Sequence, residues 1–204
     1  MNFKKALLLG ITLLLGACVN LKQPSNRIQY YTLEYDTPVL TDMDQLPYVI
    51  KVNRFSVSPI YDTTQIIYRE QSFTRDAYVY HKWRVNPGDI VTHFLYRDVR
   101  DSGLFRAVIS NDSISKSSFS LAGQVEEFFE LDTEERWEAV ISLNISLMAE
   151  DEQEINNRII FQKSYRATEA CKRRHPEALA EAMSLGMSLI SQAIIKDIHT
   201  YLSN

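Results

Sequence analysis

Four histidines (His81, His93, His175 and His199) and two cysteines (Cys18 and Cys171) are the side chains of this 204-residue sequence best suited to hold a metal or attack a carbonyl. The histidines fall on different predicted elements, and no His-Glu-x-x-His spacing puts two of them on one helix face. Beyond residue 17 the glycines stand at 88, 103, 123 and 186, so neither the dinucleotide fingerprint nor the phosphate loop can be written. There is no Gly-x-Ser-x-Gly elbow to expose a nucleophilic serine. A metal or Ser/His/Asp site assembled only in space stays open, because such groups need not be neighbours in sequence. The expectation is a protein that is not an enzyme and carries no metal and no bound cofactor.

Cys18 has a context of its own. Lys4 and Lys5 precede an apolar run, residues 6–15, which is half of the roughly 20 residues a membrane-spanning helix needs. A basic start, a short apolar stretch and small residues at its end describe a secretory signal peptide, here residues 1–17. Leu15-Gly16-Ala17-Cys18 resembles the bacterial lipobox, in which the cysteine sulfur takes a diacylglycerol, the signal is cut and the new amino terminus is acylated. The only cofactor-like group expected is thus covalent lipid on Cys18, detectable as incorporated palmitate. At ~0.8 kcal/mol per buried methylene, several acyl chains make a stable anchor where one would be marginal. The residue after Cys18 is Val19 and not aspartate, and by resemblance to lipoprotein sorting in bacteria with two membranes this implies an outer-membrane, periplasm-facing location.

With Cys18 lipidated, Cys171 has no partner in the chain and is either a buried small apolar side chain or a free thiol. Loss of residues 1–17 removes two of the 22 basic residues and none of the 26 acidic ones, leaving a formal charge of −6. Nucleic acid is excluded as a partner, because phosphate binding needs a concentrated basic surface and the single tight basic run is Lys172-Arg173-Arg174. A homo-oligomer stays open. Residues 18–26 read as a short lipidated tether and residues 27–204 as a single domain, which therefore sits close to the membrane.

The elements that must position any site come next. Residues 27–35, 48–57, 65–69 and 77–83, rich in Ile, Val and Tyr, read as strands. Asn86-Pro87-Gly88-Asp89 then changes the period, and Ile90, Val91, Phe94, Leu95 and Val99 recur at helical spacing until Gly103. Residues 104–109 read as the next strand, and this strand, helix, strand order predicts one parallel pair. Trp137, Ala139, Ile141, Leu143, Ile145 and Leu147 alternate with mostly polar residues. Phe119, Leu121, Val125, Phe129 and Leu131 alternate likewise, and Ile159, Phe161 and Tyr165 form a weaker third set. These predict an antiparallel meander whose acidic turns, residues 132–135 and 150–154, lie at opposite ends. Leu179, Met183, Met187, Ile190, Ile194, Ile198 and Tyr201 make one stripe of a closing helix over residues 176–202. The fold class is α+β: a twisted mixed, mostly antiparallel sheet with one face covered by two helices.

One internal stretch carries a family resemblance. Asp62-Thr63-Thr64-Gln65-Ile66-Ile67-Tyr68-Arg69, followed by Tyr80-His81-Lys82-Trp83, resembles the signature of the ABC-type transport auxiliary lipoprotein family, which includes the lipoprotein of the paraquat-inducible intermembrane transport system. Where the family often has Trp-Ala-Glu-Pro, this chain has Trp83-Arg84-Val85-Asn86-Pro87, which keeps the helix cap. The resemblance implies a fold similar to the amino-terminal domain of TolB. It also implies a non-catalytic accessory role beside an ABC transporter whose MCE-type substrate-binding subunits handle lipids. Gln65, Tyr68, Arg69, His81 and Trp83 would then lie on neighbouring strands, either as a partner-binding surface rich in hot-spot residue types or as core and locally satisfied side chains. A second reading is a periplasmic carrier with a lipid or small-molecule pocket between sheet and helices.

Overall fold

The structure, a computed structural model, describes residues 27–152, 154 and 158–203, so Cys18 and the expected signal peptide and tether lie outside the described residues. The strands are β1 (Gln29–Tyr31), β2 (Leu46–Val52), β3 (Ser56–Val57), β4 (Gln65–Arg69), β5 (Asp76–Trp83), β6 (Phe105–Ser110), β7 (Phe119–Asp132), β8 (Trp137–Ala149) and β9 (Ile159–Ala170). The helices are α1 (Pro87–Asp101) and α2 (Pro176–Ser203). All nine strands join one open mixed sheet with both helices packed on it, the α+β class that the patterns predict.

Strand β7 organises the sheet. Along one edge it pairs in succession with β2, β3 and β4, all parallel, and along the other it runs antiparallel to β8 over its full length. Strand β8 continues antiparallel to β9, giving the expected meander, with its two turns at opposite ends. Beyond β2 lies β6, parallel; beyond β4 lies antiparallel β5 and then parallel β1. The single parallel pair expected from the order strand, helix, strand is therefore replaced by five parallel pairings. Helix α1 does lead from β5 to β6, but β6 pairs with β2, because β7 collects three strands on one edge and keeps β5 and β6 apart. The long antiparallel ladders still supply most of the paired residues.

Two predicted strands are shortened for visible reasons. The stretch 27–35 keeps strand pairing only at Gln29–Tyr31, since the Glu34 amide donates to Ser184 Oγ on α2 at 2.9 Å and Leu33 is buried. The stretch 48–57 breaks at Phe55, whose ring enters the core while its amide donates to Thr92 Oγ1 of α1 at 2.9 Å. A backbone bonded to a helix side chain has no donor left for a strand neighbour.

The helices follow their sequence signals. Asn86 caps α1, accepting from the Gly88 amide at 2.8 Å, with Pro87 in the first turn, and Gly103, at φ +68°, ends it. On α2, Leu179, Met183, Met187, Ile190, Ile194 and Ile198 are buried against the sheet, so the methionines are core. Tyr201 is half-exposed and stacks on Phe161 of β9, centroids 4.6 Å apart. By length and composition α2 could span a bilayer, but most of it is buried inside the fold.

Candidate functional site

The alternation of a strand decides which face a side chain joins, and a bulge reverses it. Between Val125 and Glu127 the β7–β8 register shifts, so Val125 stands opposite Leu143 and Phe128 opposite Ile141. Leu121 and Val125 therefore share the helix-bearing face with Phe128 and Glu130, while Phe129 and Leu131 turn to the outer face. The single apolar face expected for Phe119, Leu121, Val125, Phe129 and Leu131 is thus corrected, because one extra residue inverts the parity halfway along.

The five motif residues divide along the same line. Tyr68 stands opposite Glu130 in the β4–β7 register, on the helix side, whereas Arg69 stands opposite Leu131, on the outer side. The Arg69 guanidinium lies over the Phe129 ring, 5.0 Å from its centroid, and Arg75 approaches the same ring at 5.4 Å. Gln65 pairs with Lys82 and is exposed. His81 and Trp83 share the helix side with Tyr68. Trp83 is buried edge-on against Phe128, while His81 is half-buried. The structure brings Tyr68 and His81 into one cluster, puts Trp83 in the core and leaves Gln65 and Arg69 on the opposite face.

That cluster centres on a residue the sequence did not single out. Glu130, on β7, is buried, and its Oε1 accepts from the Tyr78 hydroxyl at 3.0 Å and from the Trp137 indole N–H. Among the described residues its Oε2 has no hydrogen-bond partner. The Tyr78 ring meets Tyr68 at 5.1 Å and His81 at 5.8 Å. His81 Nδ1 lies 3.0 Å from the Tyr31 hydroxyl, and the His175 ring from the β9–α2 connection approaches at 6.3 Å. Tyr68, Tyr78, His81 and Tyr31 therefore form a continuous belt of rings ending at a buried carboxyl.

Burial sets the protonation states. It raises the Glu130 pKa above the usual carboxylate range, against the two hydrogen bonds that favour its ionised form. The Tyr78 phenol is pushed up, first by burial and then by Glu130. His81 is lowered by burial and by the nearby His175. Cys171 is a half-buried free thiol, pushed up to about 12 by burial first and by Glu130 second. The Tyr78 phenol and the Cys171 thiol thus stay protonated at neutral pH, and the cluster is a set of hydrogen-bond donors and acceptors suited to recognition. Among the described residues no three His, Cys, Asp or Glu side chains are grouped as metal ligands.

A cleft of about 400 Å³ lies between α1 and the β2–β6 pair, lined among others by Arg54, Asp89, His93, Tyr96 and Asp112. Its charged pair, Arg54 and Asp89 at 2.8 Å, is internally matched. At Gly186 helix α2 packs closely on the sheet, where an added Cβ would stand 3.2 Å from Ile141 and 3.3 Å from Ala167, and a second cleft, of about 440 Å³, opens between β9 and α2 beside Tyr165, Leu189 and Ile190.

Glu130 was hidden because the inverted parity puts a charged residue where plain alternation reads solvent. His175 was hidden because only the fold brings the β9–α2 connection beside β5.

The sequence profile of the ABC-type transport auxiliary lipoprotein component family matches residues 31–195. No curated protein matches the chain. Among solved structures, the crystal structure of protein XCC0632 from Xanthomonas campestris is similar with a TM-score of 0.76 at 18% identity, covering 85% of this chain and 95% of that one. A structure described as an uncharacterized protein has a TM-score of 0.65 at 12% identity, covering 84% and 99%. The hypothetical protein CT253 from Chlamydia trachomatis has a TM-score of 0.53 at 10% identity, covering 78% and 100%. These likenesses show the fold.

Proposed function

The chain belongs to the ABC-type transport auxiliary lipoprotein component family, and on that premise we propose that it is a non-catalytic accessory lipoprotein of an intermembrane lipid transport system. In this reading acyl chains on Cys18 hold it in the outer membrane, facing the periplasm, where it docks MCE-type substrate-binding subunits of an ABC transporter. The observation that carries the reading is the family match over residues 31–195 of a chain that opens with a lipobox-like Leu15-Gly16-Ala17-Cys18. The protonated Tyr78 phenol and Cys171 thiol of the Glu130 cluster support binding over catalysis. Of the motif residues, Gln65 and Arg69 present polar groups on the outer face, within reach of a partner. The close packing of α2 on the sheet at Gly186 supports docking over a ligand enclosed at that point.

The test combines labelling and capture. Labelled palmitate is expected on the parent and not on Cys18→Ser, and crosslinking in intact cells is expected to recover transporter subunits. Deletion is expected to alter outer-membrane lipid composition or barrier function. Recovery of no transporter component with unchanged lipids overturns the docking role, and a lipid retained by the purified protein in native mass spectrometry would favour the carrier.

A further inference from the structure

Three connections and the start of the described chain gather at one end of the sheet. Strand β4 is parallel to β7, with Arg69 opposite Leu131, so the β4–β5 turn, residues 70–75, stands beside the β7–β8 turn, residues 133–136. Strand β9 is antiparallel to β8, with Ala170 opposite Glu138, which brings the β9–α2 connection to the same end, where Arg174 pairs with Asp132 at 3.0 Å. Strand β1 is parallel to β5, with Gln29 opposite His81, so the chain enters β1 from this end too.

At the tip of the β4–β5 turn stands Phe73. Its relative exposure is 103%, and its backbone is left-handed at φ +67°, a conformation unfavourable for a bulky residue. A fully exposed aromatic ring on a strained tip gains nothing from the folded chain, and such outliers point to a use outside it. Ile28, Val79 and Tyr80 are exposed apolar neighbours in sequence or sheet position on the same arm.

We propose that this end of the sheet faces the bilayer and that the Phe73 ring inserts at the boundary between headgroups and acyl chains. The inference rests on the lipid anchor at Cys18. From Cys18 to Arg27 there are nine residue steps, which fully extended reach at most ~32 Å. Along β7, from Glu130 beside the chain entry to Phe119 at the far end, there are eleven steps, ~36 Å of strand. Seating the far end on the membrane would need a tether stretched along the whole sheet, whereas seating the near end needs none of that length. Charges of both signs meet here, Glu70, Asp132, Glu134 and Glu135 against Arg75, Arg136 and Arg174, which fits a zwitterionic phospholipid surface. An amphipathic or aromatic tip at that depth adds to the covalent chains as a second attachment.

The test uses full-length lipidated protein in phosphatidylethanolamine-rich vesicles containing brominated acyl chains. Phe73→Trp supplies a reporter; Gln71→Trp is a second probe on the same turn. Ile114→Trp is the control, because Ile114 is equally exposed at 103% but sits in the β6–β7 loop at the opposite end. The indole introduced by Phe73→Trp is expected to be quenched at least twofold over the parent background, with a blue-shifted emission, and the indole introduced by Ile114→Trp to be unaffected. Equal, weak quenching at both positions in protein that carries labelled palmitate overturns the insertion while leaving the anchor standing. Absence of palmitate overturns the anchor itself. Shielding of the Phe73→Trp indole from aqueous iodide only when transporter subunits are added would assign the tip to a protein partner and overturn the proposal.

Discussion

The indole of Trp83 meets the ring of Phe128 edge to face, centroids 5.2 Å apart at 74°, with both side chains 1% exposed. Of the two roles the sequence leaves open for Trp83, partner contact and core, this geometry selects the core. Trp83→Ala should therefore lose about 3–5 kcal/mol of stability, read as a lower urea midpoint. Gln65→Ala should change stability by about 0.5 kcal/mol or less, and Arg69→Ala, which gives up a cation–π contact, by about 1 kcal/mol. A Trp83→Ala protein as stable as the parent would mean that the indole is not held in the core.

Glu130 gives a dependence on pH. Its folded-state pKa is raised from the ordinary 4.5, chiefly by burial. Above 4.5 the unfolded chain has lost this proton while the folded chain still binds it, so stability from this group falls as pH rises through that window. Glu130→Gln cannot ionise and keeps an acceptor for Tyr78 and Trp137. The stability of Glu130→Gln relative to the parent should rise as pH increases above about 4.5. Taking the difference between the two proteins removes the opposite slope of carboxylates with lowered pKa, such as Asp197. A flat or falling difference would show that the fold does not raise the pKa of this carboxyl.

Much of this arrangement can be read from residue order alone, and the exceptions share a cause. Strand β4, both ends of α1 and the stripe of α2 follow from period and caps, because those signals are local. The face of β7 does not, because a bulge leaves no mark on composition yet turns Phe129 and Leu131 outward and Glu130 inward. Pairing partners are equally silent. Nothing in residues 46–52, 56–57 or 65–69 says that all three take the same edge of β7. The motif was legible as a motif, but its division between two faces depends on these non-local facts.

Cys171 should be a slow thiol. With its pKa moved from 9.0 to about 12, its thiolate fraction at pH 7 is ~1000-fold below that of an unperturbed cysteine. Iodoacetamide should alkylate the folded protein correspondingly slowly at neutral pH, with the rate still climbing about tenfold per pH unit above about pH 9. Full modification within minutes at neutral pH would contradict its burial.

Gly123 tests the packing under the bulged strand. A Cβ there would stand 2.4 Å from the backbone oxygen of Asn144 and 2.5 Å from the Phe55 ring. The oxygen belongs to the paired strand β8 and cannot move without breaking the ladder. Gly123→Ala should destabilise by about 1–3 kcal/mol, where an ordinary glycine to alanine change in a strand would be neutral or helpful. Thermal unfolding of the variant reads this directly.

The segment that leaves the sheet after β1 is held to α1 at Tyr35, whose carbonyl accepts from Arg97 Nη1 at 3.0 Å and whose hydroxyl bonds to the same helix. Tyr35 donates to Oδ2 of the buried Asp98 at 2.7 Å, and its ring stacks on Phe94, centroids 4.9 Å apart. Arg97 donates to Asp98 Oδ1 at 2.8 Å, and its guanidinium lies 4.5 Å from the Tyr35 ring. Burial and the Asp98 charge hold the phenol well above its ordinary pKa, so it stays a donor throughout the working range. Tyr35→Phe keeps the stack and removes only the donor, leaving a buried carboxylate oxygen unpaired, which should cost about 1–3 kcal/mol. Asp98→Ala breaks the same bond from the other side and also strands Arg97. If the hydroxyl acts through Asp98, the double variant should be less destabilised than the sum of the single ones, by about the energy of that bond. Strict additivity would place the stabilisation in the stacked rings and the Arg97 contact to the Tyr35 carbonyl, and not in the hydroxyl.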